Sequence, residues 1–428
     1  MSQSQKRRVL IVIAVAELLA KSLWFSGTAV IPQLSREWNA GLGLTSWLTI
    51  SVQLGFVAGA LLLAAFNLLD LFSSARIFVV ASLVGAFCNA LFAVVATKHV
   101  IFALFLRFLT GAVYAGVYPT GMKFLTGWFR RGRGLAMGII VGAITVGSAL
   151  PHAVHIGHLP WRGVVMVCSG FSLVAALLVA FGVKEGPYHT PQPRFDFHQI
   201  TEALRNRRLR LANFGYLGHM WELYSMWGWI TILLAASGRT VPHSTLETIS
   251  FLAVASGFVG CVWAGYASDN GKLKSSAGKT AATTAGATPQ EIINRRARVT
   301  ILAMAASGAC CVLAAIFFNH FEVLVAICLL WGVSVVADSA QFSTIVSEVS
   351  DQRYVGTALT MQTALGFLLT SISIRLVADV GAAYGWRWGT LTMGIGPALG
   401  IIAMLRLQRV PTPAPEFDDE TLVLRTTE

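Results

Sequence analysis

The sequence predicts an all-α membrane protein: twelve transmembrane helices in two six-helix bundles, with both termini cytoplasmic. Three observations carry this reading: a shortage of charge, apolar stretches of membrane-spanning length along the whole chain, and a one-sided distribution of Lys and Arg. Hydrophobic residues make up 55% of the 428 residues and charged residues 12%, whereas a soluble domain carries about 25% charge. Apolar runs of roughly 20 residues, the length that crosses about 30 Å of hydrocarbon, recur from Val9 to Leu407 with charged clusters between them. Runs this long and continuous fit helices and not barrel strands, because lipid offers backbone groups no hydrogen-bond partner.

At the N-terminus, Lys6-Arg7-Arg8 before an apolar run imitates a secretory leader, but Glu17 and Lys21 inside the run mark it as the first helix. The twelve expected spans are 9–33, 44–69, 76–96, 99–122, 134–157, 162–183, 210–236, 244–267, 298–318, 322–346, 354–378 and 384–406. Sorting the basic residues over these spans leaves only Arg36, Lys98, Arg162, Arg239 and Arg387 on the side away from the termini. Lys21, Arg107 and Arg375 fall within the membrane, and every other Lys and Arg lies on the side of the termini. That asymmetry places the termini inside.

Domain boundaries follow from the polar segments. Residues 1–183 form an N-terminal bundle, 184–209 a cytoplasmic linker, 210–410 a C-terminal bundle with a polar loop insertion at 269–296, and 411–428 a cytoplasmic tail. Gly278-Lys279-Thr280 in the insertion imitates a phosphate loop, yet Leu273 replaces the first glycine and no strand precedes it, so nucleotide binding is excluded. The net charge of +12 sits in short loops without aromatic platforms, which excludes nucleic acid. The cysteines Cys88, Cys168, Cys261, Cys310, Cys311 and Cys328 fall in apolar runs without a C-x-x-C pair, and read as small packing residues.

Local motifs resemble those of the major facilitator superfamily over nearly the whole chain. The loop after span two keeps an Asp and a later Arg at Asp70 and Arg76, and the second half repeats it as Gly265-Tyr266-Ala267-Ser268-Asp269-Asn270-Gly271-Lys272. Span four carries Arg107-Phe108-Leu109-Thr110-Gly111, and Gly127-Trp128-Phe129-Arg130-Arg131-Gly132-Arg133 leads into span five. Gly142, Gly147 and Pro151 are spread out where the antiporter signature joins Gly to Pro, and the chain is loosely similar to nitrate/nitrite or small-anion porter-like members. The resemblance implies a secondary active transporter working by alternating access at a midplane site, with Asp70, Arg76, Asp269, Arg130 and Arg131 in conformational gating.

Ionisable groups in a bilayer cost at least a few kcal/mol, so they face a cavity or a partner. Those expected in mid-span are Glu17, Lys21, Arg107, His219, Glu222 and Asp338, on spans one, four, seven and ten, which line the central cavity in the resembled architecture. Glu17 and Lys21 stand one helical turn apart in the favourable order for an ion pair. Arg107 has no partner in its own helix and requires a carboxylate or a substrate opposite it.

His219 and Glu222 share a helical face suited to proton relay. A zinc site there lacks a third ligand, so no metal is expected. Asp338 sits in a polar patch with Ser339, Gln341, Ser343 and Thr344. The expected substrate-binding set is Lys21, Arg107, Tyr114, Tyr118, Trp227, Gln341 and Gln362, and the proton-coupling set is Glu17, His219, Glu222 and Asp338. Arg375 and Asp379 form an i,i+4 pair at the outer end of span eleven, and His152, His155 and His158 are placed at the interface.

The function expected is proton-coupled transport of a small organic or inorganic anion, with efflux of a cationic or amphipathic compound, or a non-transporting membrane sensor, as alternatives. No nucleophile and base pair recognisably, so an enzyme is not expected, nor is a cofactor. The expected partners are a small-molecule substrate, protons and the bilayer, in a monomer of the plasma membrane, which is the inner membrane of a Gram-negative cell.

Overall fold

The computed structural model describes residues 3–129, 133–157, 159–188, 205–270, 288–350 and 355–411, and nearly all of them are helical. The first six spans correspond to α1 (Gln3–Ala29); the short α2 (Ile31–Glu37) and α3 (Leu42–Thr45) leading into α4 (Trp47–Ala65); α5 (Leu68–Leu71) and α6 (Ser74–Val95); α7 (Val100–Tyr114) with α8 (Tyr118–Trp128); α9 (Arg133–Ile156); and α10 (Trp161–Gly182). The second six correspond to α11 (Arg207–Ala235); α12 (His243–Ala255) with α13 (Gly257–Asn270); α14 (Pro289–Ile316); α15 (Phe321–Val335) with α16 (Ser339–Val349); α17 (Val355–Tyr384); and α18 (Trp386–Gln408).

Among the described residues, 11 helical segments are long and apolar enough to cross a membrane. The expected seventh span, α11, is not one of them. Its 29 residues exceed the required length, but Asn213, His219, Glu222 and its Tyr and Trp side chains dilute its apolar character. Nineteen of its residues are nonetheless buried, Asn213, His219 and Glu222 among them, so protein surrounds these polar groups.

Two boundaries are corrected. The eleventh span continues to Tyr384. The expected loop insertion ends early, because α14 begins at Pro289 behind a capping box in which the Thr288 hydroxyl accepts from the Glu291 backbone and the Glu291 carboxylate accepts from Thr288 N–H.

Spans four and ten both break at mid-membrane, at Ala115–Val117 and Val336–Asp338. The break falls at the same place in each half and frees local backbone inside the protein beside the cavity described below, a setting in which irregular backbone is tolerated within a membrane-spanning segment.

In the N-terminal half, α1 packs on α9 and α10, α6 on α7 and α10, and α4 on α7. The α4–α7 crossing is so close that a Cβ at Gly111 would stand 1.8 Å from the Val52 carbonyl oxygen, and one at Gly55 1.9 Å from that of Phe108. Glycine is required at such a crossing because it lets two backbones touch. In the C-terminal half, α18 packs on α11 and α14, and α17 on α11. The halves meet where α9 lies along α12 and α13, and where α4 crosses α17. Large apolar side chains such as Phe87, Ile101, Phe181, Leu330 and Ile372 are exposed on the periphery, a surface suited to lipid. All six cysteines are free and buried, in keeping with packing roles.

Candidate functional site

A cavity of about 90 Å³ lies between the halves, several times the ~10–15 Å³ that a single water needs. Its wall takes Lys21 and Trp24 from α1, Phe56 from α4, Tyr114 and Tyr118 from the two sides of the α7–α8 break, and Thr145 from α9. The second half supplies Tyr216, His219, Tyr224 and Trp227 from α11, Ser339 and Ser343 from α16, and Thr363 and Phe367 from α17. Of the expected site residues, the structure brings Lys21, Tyr114, Tyr118, Trp227 and His219 to this wall.

Lys21 is buried, and its Nζ lies 3.8 Å from the centre of the Trp24 ring, 5.0 Å from Tyr114 and 5.6 Å from Tyr224. Aromatic faces solvate a cation partly, at roughly 0.5–2 kcal/mol each, and the Glu17 carboxylate one turn away also acts on Lys21 electrostatically, without direct contact. Glu17 does not close the expected pair. It is fully buried against α8, where a Cβ on Gly121 would fall 1.9 Å from Glu17 Oε1, and neither carboxylate oxygen has a hydrogen-bond partner among the described residues.

Three donors on the wall are unspent: Tyr114 Oη, Trp24 Nε1 and Trp227 Nε1 are buried without a hydrogen-bond partner among the described residues. An indole N–H can only donate, so the wall combines one ammonium with donors that call for acceptor oxygens.

His219 connects the wall to the helix break in the second half. Its Nε2 is 2.8 Å from Ser339 Oγ, and its Nδ1 is 2.8 Å from Asp338 Oδ1. Asp338 is buried behind the wall at the foot of α16. The Nδ1–Asp338 approach is an ion-pair distance without the alignment of a hydrogen bond, since both Asp338 oxygens lack one. Protonation of the imidazole would complete a charged pair there.

The remaining expectations are corrected. Arg107 does not face the cavity. Its guanidinium donates to the carbonyls of Leu23, Trp24 and Leu48, to Ser26 Oγ and to Asn89 Oδ1, the last at 2.8 Å. Asn89 in turn donates to Val165 O and Ser169 Oγ. Arg107 therefore ties α1, α4, α6 and α10 to α7, and carbonyl, hydroxyl and amide oxygens stand where a carboxylate or a substrate is expected from the sequence. Gly27 makes room for it, because a Cβ there would meet Arg107 Nε at 2.9 Å.

Glu222 turns away from His219 into the core of the second half, where Ser307 Oγ (2.8 Å), Trp331 Nε1 (2.7 Å) and Cys311 Sγ (3.2 Å) approach its carboxylate. Gln341 accepts from Arg296, which also pairs with Glu348, so it braces α14 against α16. Gln362 is buried off the cavity wall, with both amide atoms unpartnered among the described residues.

Of the gating residues, Arg76 is exposed at the start of α6 and Asp70 and Asp269 lie on α5 and α13; Arg130 and Arg131 lie outside the described residues. Arg375 does pair with Asp379 at 2.7 Å, and it also donates to Gly43 O across the two halves. His152 and His155 are buried and not interfacial, because Glu247 of α12 sits between them; His158 is outside the described residues. Glu247 was missed by sequence reasoning, and its one signal was being a lone acid in an apolar helix.

No curated protein matches the chain. Residues 13–289 match the sequence profile of the Major Facilitator Superfamily, in agreement with the helical halves and the cavity between them. The chain therefore belongs to the Major Facilitator Superfamily, and it is a multi-pass membrane protein of the secondary-transporter kind.

Proposed function

We propose that the protein transports a small organic anion with an apolar or aromatic body, coupled to protons, by rocking of two six-helix halves whose termini face the cytoplasm. One observation carries the choice of substrate: the cavity wall joins Lys21 to the unpartnered donors of Tyr114, Trp24 and Trp227. A carboxylate would draw the Lys21 ammonium off the Trp24 ring and accept from these donors, while its body replaced water against Phe56, Tyr224 and Phe367. A cationic solute fits poorly, because the carboxylates Glu17, Glu222 and Asp338 are off the wall and Lys21 already occupies the aromatic faces. Proton coupling is assigned to His219 and Asp338, which stand 2.8 Å apart and form an ion pair only when the imidazole carries a proton. In this scheme the substrate cation belongs to the first half and the proton-binding pair to the second, so each half carries one of the two coupled ligands.

The test is a thermal-shift screen of the purified protein with aromatic carboxylates against matched amides and amines, followed by flux in proteoliposomes. Carboxylates should stabilise the wild type, and Lys21→Met should weaken binding at least tenfold. Asp338→Asn should retain counterflow exchange but lose accumulation driven by a pH gradient. Stabilisation by the amines alone removes the anion assignment, and accumulation retained in Asp338→Asn removes the coupling assignment.

A further inference from the structure

A second cluster of functional side chains lies away from the cavity, at the face remote from the N-terminus, where the end of α9 meets the start of α12. His155 comes from the first half, and His243 and Glu247 come from the second. One ligand atom from each of the three lies within 4.8 Å of the others. His155 Nδ1 is 3.4 Å and His243 Nε2 3.7 Å from Glu247 Oε1, and the two imidazoles meet edge to face with ring centres 4.5 Å apart. Ligand atoms around a tetrahedral zinc ion, each about 2.0–2.1 Å from the metal, are separated by about 3.3 Å. The two approaches to Glu247 are therefore within a few tenths of an ångström of metal-binding spacing, and the two imidazole ligand atoms, within 4.8 Å of each other, need to close by at most about 1.5 Å.

Its partners are arranged accordingly. Glu247 Oε1 and His155 Nδ1 face each other at 3.4 Å, belong to side chains only 0% and 3% exposed, and have no well-aligned hydrogen bond among the described residues. The other oxygen of Glu247 is held at 2.7 Å by His152 Nδ1, which fixes the carboxylate and leaves Oε1 forward. The other nitrogen of His155, Nε2, lies 2.9 Å from the Gln33 amide and 3.4 Å from His243 Nε2. Turning that amide over places Gln33 Oε1, itself unpartnered, where it accepts the Nε2–H and leaves the Nδ1 lone pair toward Glu247. Outer groups that orient a ligating imidazole in this way are the usual surroundings of a metal site.

We propose that His155, His243 and Glu247 bind one divalent transition cation of the zinc class, with the fourth position open to water. Two imidazoles and one carboxylate suit zinc, cobalt or nickel and not magnesium or calcium, which prefer oxygen ligands. Because the ligands come from both halves, the ion fastens α9 to α12 and stabilises the conformation in which that face is closed. Any ligand held by one conformation alone draws the population toward it.

The experiment uses the full-length protein in detergent, stripped with a chelator, with Co²⁺ as a spectroscopic probe and Zn²⁺ and Mg²⁺ in thermal unfolding. One Co²⁺ per chain with a tetrahedral visible spectrum is expected, competed by Zn²⁺, together with a rise in unfolding temperature under Zn²⁺ and none under Mg²⁺. His243→Gln lies on the partly exposed rim, where folding should survive, and should weaken binding at least tenfold and remove the zinc-dependent rise. Glu247→Gln should do the same, and His99→Gln should bind as the wild type does. Absence of Co²⁺ binding in the wild type, or undiminished binding in His243→Gln, overturns the site. None of these readouts depends on the transported solute.

Discussion

Replacing Arg107 by Lys distinguishes a structural clamp from a substrate-binding cation, because the charge is retained and only the fork of donors is lost. The guanidinium reaches five acceptors on three different elements. An ammonium presents three donors from one point, so at least two of those bonds are lost. A hydrogen bond to a charged group contributes roughly 1.5–3 kcal/mol, and with partial relaxation the expected loss is about 3–5 kcal/mol. For a folding unit the size of one half, that lowers the unfolding temperature by roughly 6–20 °C, at about 2–4 °C per kcal/mol.

The assay is thermal unfolding in detergent by intrinsic fluorescence, paired with binding of the best carboxylate well below both transitions. The expected result is a large drop in unfolding temperature with near-normal binding by the folded fraction. Asn89→Leu, which removes the best-placed acceptor, should reproduce part of the drop, about 1–3 kcal/mol. An Arg107→Lys protein that unfolds at the wild-type temperature but no longer binds carboxylates would refute the clamp and return Arg107 to the substrate.

Two further outcomes follow from the packing. Glu222→Gln leaves one acceptor oxygen where the carboxylate offered two to Ser307, Trp331 and Cys311, so stability should fall by about 1–3 kcal/mol while pH-driven accumulation persists; lost accumulation at unchanged stability would make Glu222 the proton carrier. Gly111→Ala would set a methyl 1.8 Å from Val52 O, forcing α4 and α7 apart at a cost of about 1–3 kcal/mol or more; a monodisperse yield and unfolding temperature equal to wild type would show that the crossing is looser than described.

The membrane class was legible from the start, because a bilayer acts on composition and length alone. A run of about 20 apolar residues crosses most readily as a helix, and each span read from Val9 to Leu407 overlaps an observed helix, with ends that differ by up to nine residues, the ninth starting at Pro289 and not at 298. The exception is instructive. α11 is too polar for a hydropathy criterion because His219, Asn213 and Glu222 are shielded by protein, and shielding is a property of neighbours.

The sequence alone placed Glu17, Lys21, Arg107, His219, Glu222 and Asp338 in mid-span on spans one, four, seven and ten and showed that such groups need partners, while the buried His152, His155 and Glu247 on spans five and eight emerged only from the structure. It could not say which partners. Glu17 and Lys21 are one turn apart, yet the Lys21 side chain goes to Trp24 and Tyr114; His219 and Glu222 share a helix face, yet one meets Asp338 and the other Trp331. Arg107 was expected to seek a negative charge and instead found five neutral oxygens, three of them backbone carbonyls that no sequence pattern marks. Tertiary structure decided these pairings because a charge in a low-dielectric interior takes whichever dipoles or rings the packed helices bring within about 3–5 Å, and which helices those are depends on glycine crossings far away in the chain.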